Sequence, residues 1–85
     1  MKIMKILNHP TILSASPIKI EEGLNPYRIV LRKTIDQYGA RYITHRENLL
    51  PKQDGDTLEW HHREFYWGHY FASLSDAEKD YMERI

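Results

Sequence analysis

Residues 60–71 crowd six of the chain's ten aromatic side chains (Trp60, Phe65, Tyr66, Trp67, Tyr70, Phe71) and three of its five histidines (His61, His62, His69) into twelve positions. From Leu58 to Phe71 the β propensity is strong, so this is one long strand, or two short ones broken near His62-Arg63. A strand turns alternate side chains to opposite faces. Phe65, Trp67, His69 and Phe71 then share one face, with Tyr66, Gly68 and Tyr70 on the other. Any fold that accepts this strand must cover two aromatic faces or leave one for something outside. Gly68 inside the run marks a bulge or a close backbone approach.

Only one element is shaped to cover a face. Leu74, Ala77, Tyr81, Met82 and Ile85 recur at helical spacing, and Ser75 with Glu78 makes an S-x-x-E capping box, which predicts a C-terminal helix with one apolar stripe toward a sheet. Upstream, Tyr27–Lys33 alternates Ile29 and Leu31 against Arg28 and Arg32 about Val30, and Asn25-Pro26 bounds it. Asp36-Gln37-Tyr38-Gly39 supplies turn chemistry, and Arg41–Arg46 returns as the second strand of an antiparallel hairpin. Residues 47–57, with Pro51 and Asp54-Gly55-Asp56, read as a polar connection. In the first 23 residues, Ile3–Leu7 and Ile18–Ile20 are β-compatible, and one of them is expected to pair at a sheet edge. Met1–Leu7 has something of a signal-peptide head, but Asn8-His9-Pro10 interrupts it.

At 85 residues a chain buries only about 60–65% of its unfolded surface. One thin core follows, and residues 1–85 form a single small domain. The fold class expected is α+β: an antiparallel sheet of three to four strands with the C-terminal helix packed on one face. The absence of cysteine excludes disulfides, thiolate zinc sites and a Cys nucleophile, and fits a cytoplasmic setting. No apolar run is long enough to span a membrane. Net charge is zero, yet residues 1–46 hold eight Lys/Arg against three Asp/Glu and residues 47–85 hold four against nine. Either the halves complement each other in the fold, or the surface is dipolar.

Catalytic signatures are missing: there is no G-x-S-x-G, no phosphate-binding glycine loop and no H-E-x-x-H. His62-Arg63-Glu64 matches the H-x-E of zinc deaminases but lacks their cysteines. His61 and His69 share a parity yet lie about 27 Å apart on a continuous strand, and His61 and His62 point to opposite faces. No catalytic residue, metal site or cofactor is therefore assigned. Phe65, Trp67 and Phe71 suit a core, whereas Tyr66 and Tyr70 suit self-contact or an external interface.

Three segments, Tyr42-Ile43-Thr44-His45-Arg46-Glu47-Asn48, Tyr66-Trp67-Gly68-His69-Tyr70-Phe71, and Asp76-Ala77 with Tyr81 and Arg84, resemble short uncharacterised proteins of bacterial, phage and prophage genomes, over about residues 27–85. The resemblance implies an accessory protein, on a mobile element, that binds a host or phage macromolecule. It carries over no site residue. The expectation is a non-enzymatic protein that binds another protein or itself through Tyr66, Trp67 and Tyr70, with Arg28, Arg32 and Arg46 at the rim. The alternative is single-stranded nucleic-acid binding by the same aromatic strand and arginines, with bases stacked on rings and phosphates met by the hairpin.

Overall fold

A computed structural model of the chain describes residues 3–6 and 8–85. Five strands and one helix follow in order: β1 (Ile3–Ile6), β2 (Ile12–Ala15), β3 (Tyr27–Asp36), β4 (Gly39–Asp54), β5 (Thr57–Phe71) and α1 (Leu74–Arg84). They make one sheet ordered β1-β5-β4-β3-β2, in which β2 to β5 are antiparallel neighbours and β1 adds a parallel edge against Thr57–Trp60. The α+β class and the four-stranded antiparallel sheet agree with expectation.

The β3–β4 hairpin closes where the turn residues stand. Asp36 and Gly39 pair across it, Asp36 Oδ1 accepts from the Tyr38 amide at 2.7 Å, and Gly39 takes φ +109°, a value that glycine adopts without strain. Residues 47–57, however, are not a loop. Strand β4 continues to Asp54, and the turn is only Gly55-Asp56. Pro51 fits there because the bonding on the β3 side ends with the Leu49 amide, which donates to the Pro26 carbonyl at 2.9 Å, so that beyond Leu49 β4 pairs on one side only and its other edge needs no amide donor. At the N-terminus one expected piece forms an edge strand as read, and the second edge comes from residues outside the two expected pieces. Ile3–Ile6 does pair at an edge, while Ile18–Ile20 yields only the bridge Lys19–Tyr27, and the other edge is taken by Ile12–Ala15.

Helix α1 lies against β3, β4 and β5. Its N-cap is Ser73, whose hydroxyl accepts from the Asp76 amide at 3.4 Å, two residues before the predicted cap. The inward face is also rotated. Ala77 is buried and Tyr81 partly so, but Leu74, Met82 and Ile85 are exposed, and Asp80 and Arg84 take the inward positions. Among the described residues no helix is long and apolar enough to cross a membrane.

The opposite face of the sheet is covered by chain. Between β1 at one edge and β2 at the other, the backbone passes over the side away from the helix. There the His9 ring meets His62 and Phe65 edge-on, each at 5.6 Å, and Thr11 Oγ1 accepts from Arg32 Nε at 2.7 Å. The core is correspondingly thin and two-sided. Ile29 and Leu31 lie on the helix side with Ala77, while Val30, Ile43 and Leu49 lie under the crossing segment.

Candidate interaction site

Strand β5 does not alternate strictly. The register runs Asn48–Glu64 then Leu49–His62, and Thr44–His69 then Arg46–Tyr66. Each step leaves one extra residue in β5, and each extra residue reverses the facing of what lies beyond it. The expected faces are therefore corrected. Phe65, Gly68 and Tyr70 stand away from the helix, Tyr66, His69 and Phe71 stand on the helix side, and Trp67 occupies the second bulge. Trp67 sits at φ +49°, the only non-glycine residue at positive φ among those described, a conformation costing on the order of 1–2 kcal/mol. It is not a core residue: 69% of its surface is exposed.

Around that bulge a groove opens on the helix side of the sheet. Leu24, Asn25, Arg46, Asn48, Tyr66 and Trp67 line a volume of about 290 Å³. The Arg46 guanidinium lies 3.7 Å from the Tyr27 ring centroid and 5.4 Å from that of Trp67, so it stacks between the two. Its Nε donates to Asn48 Oδ1 at 3.2 Å. Among the described residues no acceptor engages its two Nη atoms, nor the Asn48 amide nitrogen. Tyr66, 40% exposed, completes the wall, its ring 6.4 Å from that of Trp67. The groove therefore combines large apolar rings with unspent hydrogen-bond donors.

The six residues singled out from the sequence thus separate. Tyr66, Trp67 and Arg46 come together. Tyr70 is exposed on the opposite face, near His45. Arg32 lies on that face too, its guanidinium 4.1 Å from the Phe65 ring centroid. Arg28 is not at a rim, because the crossing N-terminal segment buries it. Its Nε donates to Glu47, which is fully buried, and its Nη2 donates to Asn8 Oδ1 at 2.7 Å. Sequence reasoning missed Leu24 and Asn48, which line the groove from the turn before β3 and from β4, and Tyr27, which backs the Arg46 guanidinium from β3. Gly68 was the one signal of the bulge that gathers them.

Below the crossing segment lies a polar core. The second Glu47 oxygen takes a hydrogen bond from His62 Nδ1 at 3.0 Å. The His45 ring stacks on Phe65 at 4.9 Å, and its Nε2 accepts from Arg32 Nη1 at 3.1 Å, which requires a neutral ring. Burial, then the charges of Arg32 and Arg84, lower the His45 pKa to about 4; the Tyr66 carbonyl pulls the other way and is outweighed. On the helix side Asp80 accepts from Thr44 Oγ1 and, at 2.9 Å, from His69 Nδ1, and Arg84 donates to both oxygens of Thr44. Burial alone would raise the Asp80 pKa, but these two hydrogen bonds and the charges of His69 and Arg84 hold it below the usual carboxylate value. Among the described residues, no three His, Asp or Glu side chains are placed to hold one metal ion.

Compared with models of known families, with curated proteins and with solved structures, the chain matches none.

Proposed function

We propose that the chain is a non-enzymatic accessory protein that binds another protein, or a second copy of itself, through the groove at Tyr66, Trp67 and Arg46. One observation carries this reading: a tryptophan held at positive φ and mostly exposed, with an arginine stacked against it. Strained backbone concentrates at functional sites, and Trp, Tyr and Arg are the side chains that dominate binding hot spots. A tryptophan exposed at a conformational cost gives the fold little in return beyond its contacts with Arg46 and Tyr66. The context implied by the resemblance of residues 27–85, a small protein acting on a host or phage macromolecule, agrees with such a role.

The nucleic-acid alternative draws less support. Arg28 is sealed against Glu47 and Arg32 lies on the other face, so the three arginines do not line up beside the exposed rings as a phosphate track needs.

The test is Trp67→Gly. Glycine relieves the positive φ, while the stack on Arg46 is worth only about 0.5–1 kcal/mol at an exposed site. Unfolding stability should therefore stay within about 1 kcal/mol of wild type. Capture of the partner by tagged protein should nevertheless fall by ~2 kcal/mol or more, and should survive nuclease. Capture that is indifferent to the substitution, or that disappears with nuclease, overturns the reading.

A further inference from the structure

The groove has a definable ligand chemistry. Its walls are Leu24, Tyr66 and Trp67, and its unspent polar atoms are donors: the two Nη of Arg46 and the amide nitrogen of Asn48. It suits a side chain of moderate bulk that lies beside a carboxylate.

The chain itself displays such a segment. Three residues of the stripe expected to face the sheet turn outward in α1, so that Leu74, Met82 and Ile85 form with Glu78, at i, i+8, i+11 and i+4, an exposed face in which Met82 is 65% exposed. Asp80 and Arg84 hold this rotation by their bonds to Thr44 and His69. Glu78 precedes Met82 by one turn, and both stand on the same surface. A methionine against aromatic rings is a favourable and adaptable contact.

The charges remain available for it. Among the described residues the only ion pair joining the basic first half to the acidic second half is Arg28–Glu47. Among the same residues Arg46 on one side, and Glu78 and Glu83 on the other, make no ion pair within the chain. The opposed charges of the two halves are thus left largely unspent inside one molecule, and they are complementary between two.

Resting on the reading of the groove as a protein-binding site, we propose that its occupant is the outward face of α1 from a second copy, with Met82 against Tyr66 and Trp67 and the Glu78 carboxylate accepting from Arg46. Groove and helix are separate surfaces, and the contact proposed is the head-to-tail one, in which each copy gives its helix to one neighbour and its groove to another. Such an interface builds longer assemblies as concentration rises instead of stopping at a dimer.

The experiment is sedimentation equilibrium of the full chain at low salt, with folding of each variant checked by circular dichroism. Wild type should form a concentration-dependent series of oligomers that weakens with added salt. Arg46→Glu and Glu78→Arg should each weaken association by about tenfold or more. Mixed together, these two variants should associate again and extend as wild type does, because each groove of one variant then faces a helix of opposite charge from the other. Both substitutions in a single chain restore the charge pair in reverse, and association should return. Met82→Lys gives a second, independent break in the helix face.

A wild type that stays monomeric, or association that ignores these substitutions, overturns the proposal. So do single variants that fail without recovering in the mixture, and so does a wild type that stops at a dimer, which is the behaviour of a symmetric contact. In each of these cases Trp67→Gly still decides the broader reading, because loss of a nuclease-resistant partner on that substitution does not depend on self-association.

Discussion

Gly68 shows how one residue's lack of a side chain sets what its neighbours can do. A Cβ built at this position falls 2.9 Å from His45 Cε1, 3.1 Å from Nδ1 and 3.2 Å from Tyr70 Cε2. His45 has little room to retreat, since it is stacked on Phe65 and bonded to Arg32. Gly68 is therefore required by a close approach rather than by its φ, which is ordinary; the positive φ of the bulge falls on Trp67 instead. Gly68→Ala should destabilise the fold by about 1–3 kcal/mol, the range for forcing an extra methyl into packed side chains. Urea unfolding measures this directly. Adding His45→Ala removes the ring that the methyl meets, so the double variant should lose less than the sum of the two singles. A strictly additive pair would show that the close approach carries no energy.

At the scale of elements, the cap of α1 separates what sequence pattern reveals from what it leaves out. Ser73-x-x-Asp76 and Ser75-x-x-Glu78 are both credible starts, and the latter is the stronger motif because glutamate completes a capping box. The backbone selects the former: Ser73 has φ −105° and ψ 131° and accepts the Asp76 amide, with Leu74 already helical. Ser73→Ala should therefore cost about 0.5–1 kcal/mol in thermal or urea unfolding, and Ser75→Ala close to nothing; the reverse order would move the cap. The β3–β4 hairpin was legible because Asn25-Pro26 and Asp36–Gly39 punctuate it and Tyr27–Lys33 alternates between them. The length of β4 was not, since Pro51 and a run of polar residues resemble a loop unless it is known that β3 ends opposite Asn48. Arg63 and Trp67 were not recognisable as bulged residues, because a bulge is a relation between two strands and leaves no pattern within one. For that reason Tyr66, Trp67 and Arg46 were found as candidates, but their meeting with Tyr27 and Leu24 was not.

For the molecule as a whole, the long β4–β5 hairpin draws the chain out to 45 × 25 × 19 Å and a radius of gyration of 14.0 Å, against the ~12 Å of a compact chain this size. So thin a body has little room for an all-apolar interior, and its buried polar groups, His45 above all, tie stability to pH. The sign follows from the two states of His45. Unfolded, it has its ordinary pKa of 6.5; folded, burial and the nearby Arg32 and Arg84 charges bring it to about 4. Above pH 6.5 both states are neutral there and the full stability is present. As pH falls from 6.5 toward 4 the unfolded chain takes up a proton that the folded one refuses, so stability is lost across that window. Asp80, held below its usual value by Thr44, His69 and Arg84, adds a further loss only at lower pH, where its folded-state carboxylate is finally protonated. The His45 contribution between pH 7 and pH 5 should be on the order of 1–2 kcal/mol. Urea unfolding of wild type and His45→Gln across that range isolates it, because glutamine keeps an acceptor for Arg32 but cannot titrate, and the slope should flatten in the variant. An NMR titration of the His45 ring supplies the independent check: a ring that protonates near pH 6.5 in the folded protein would remove both the cause and the effect.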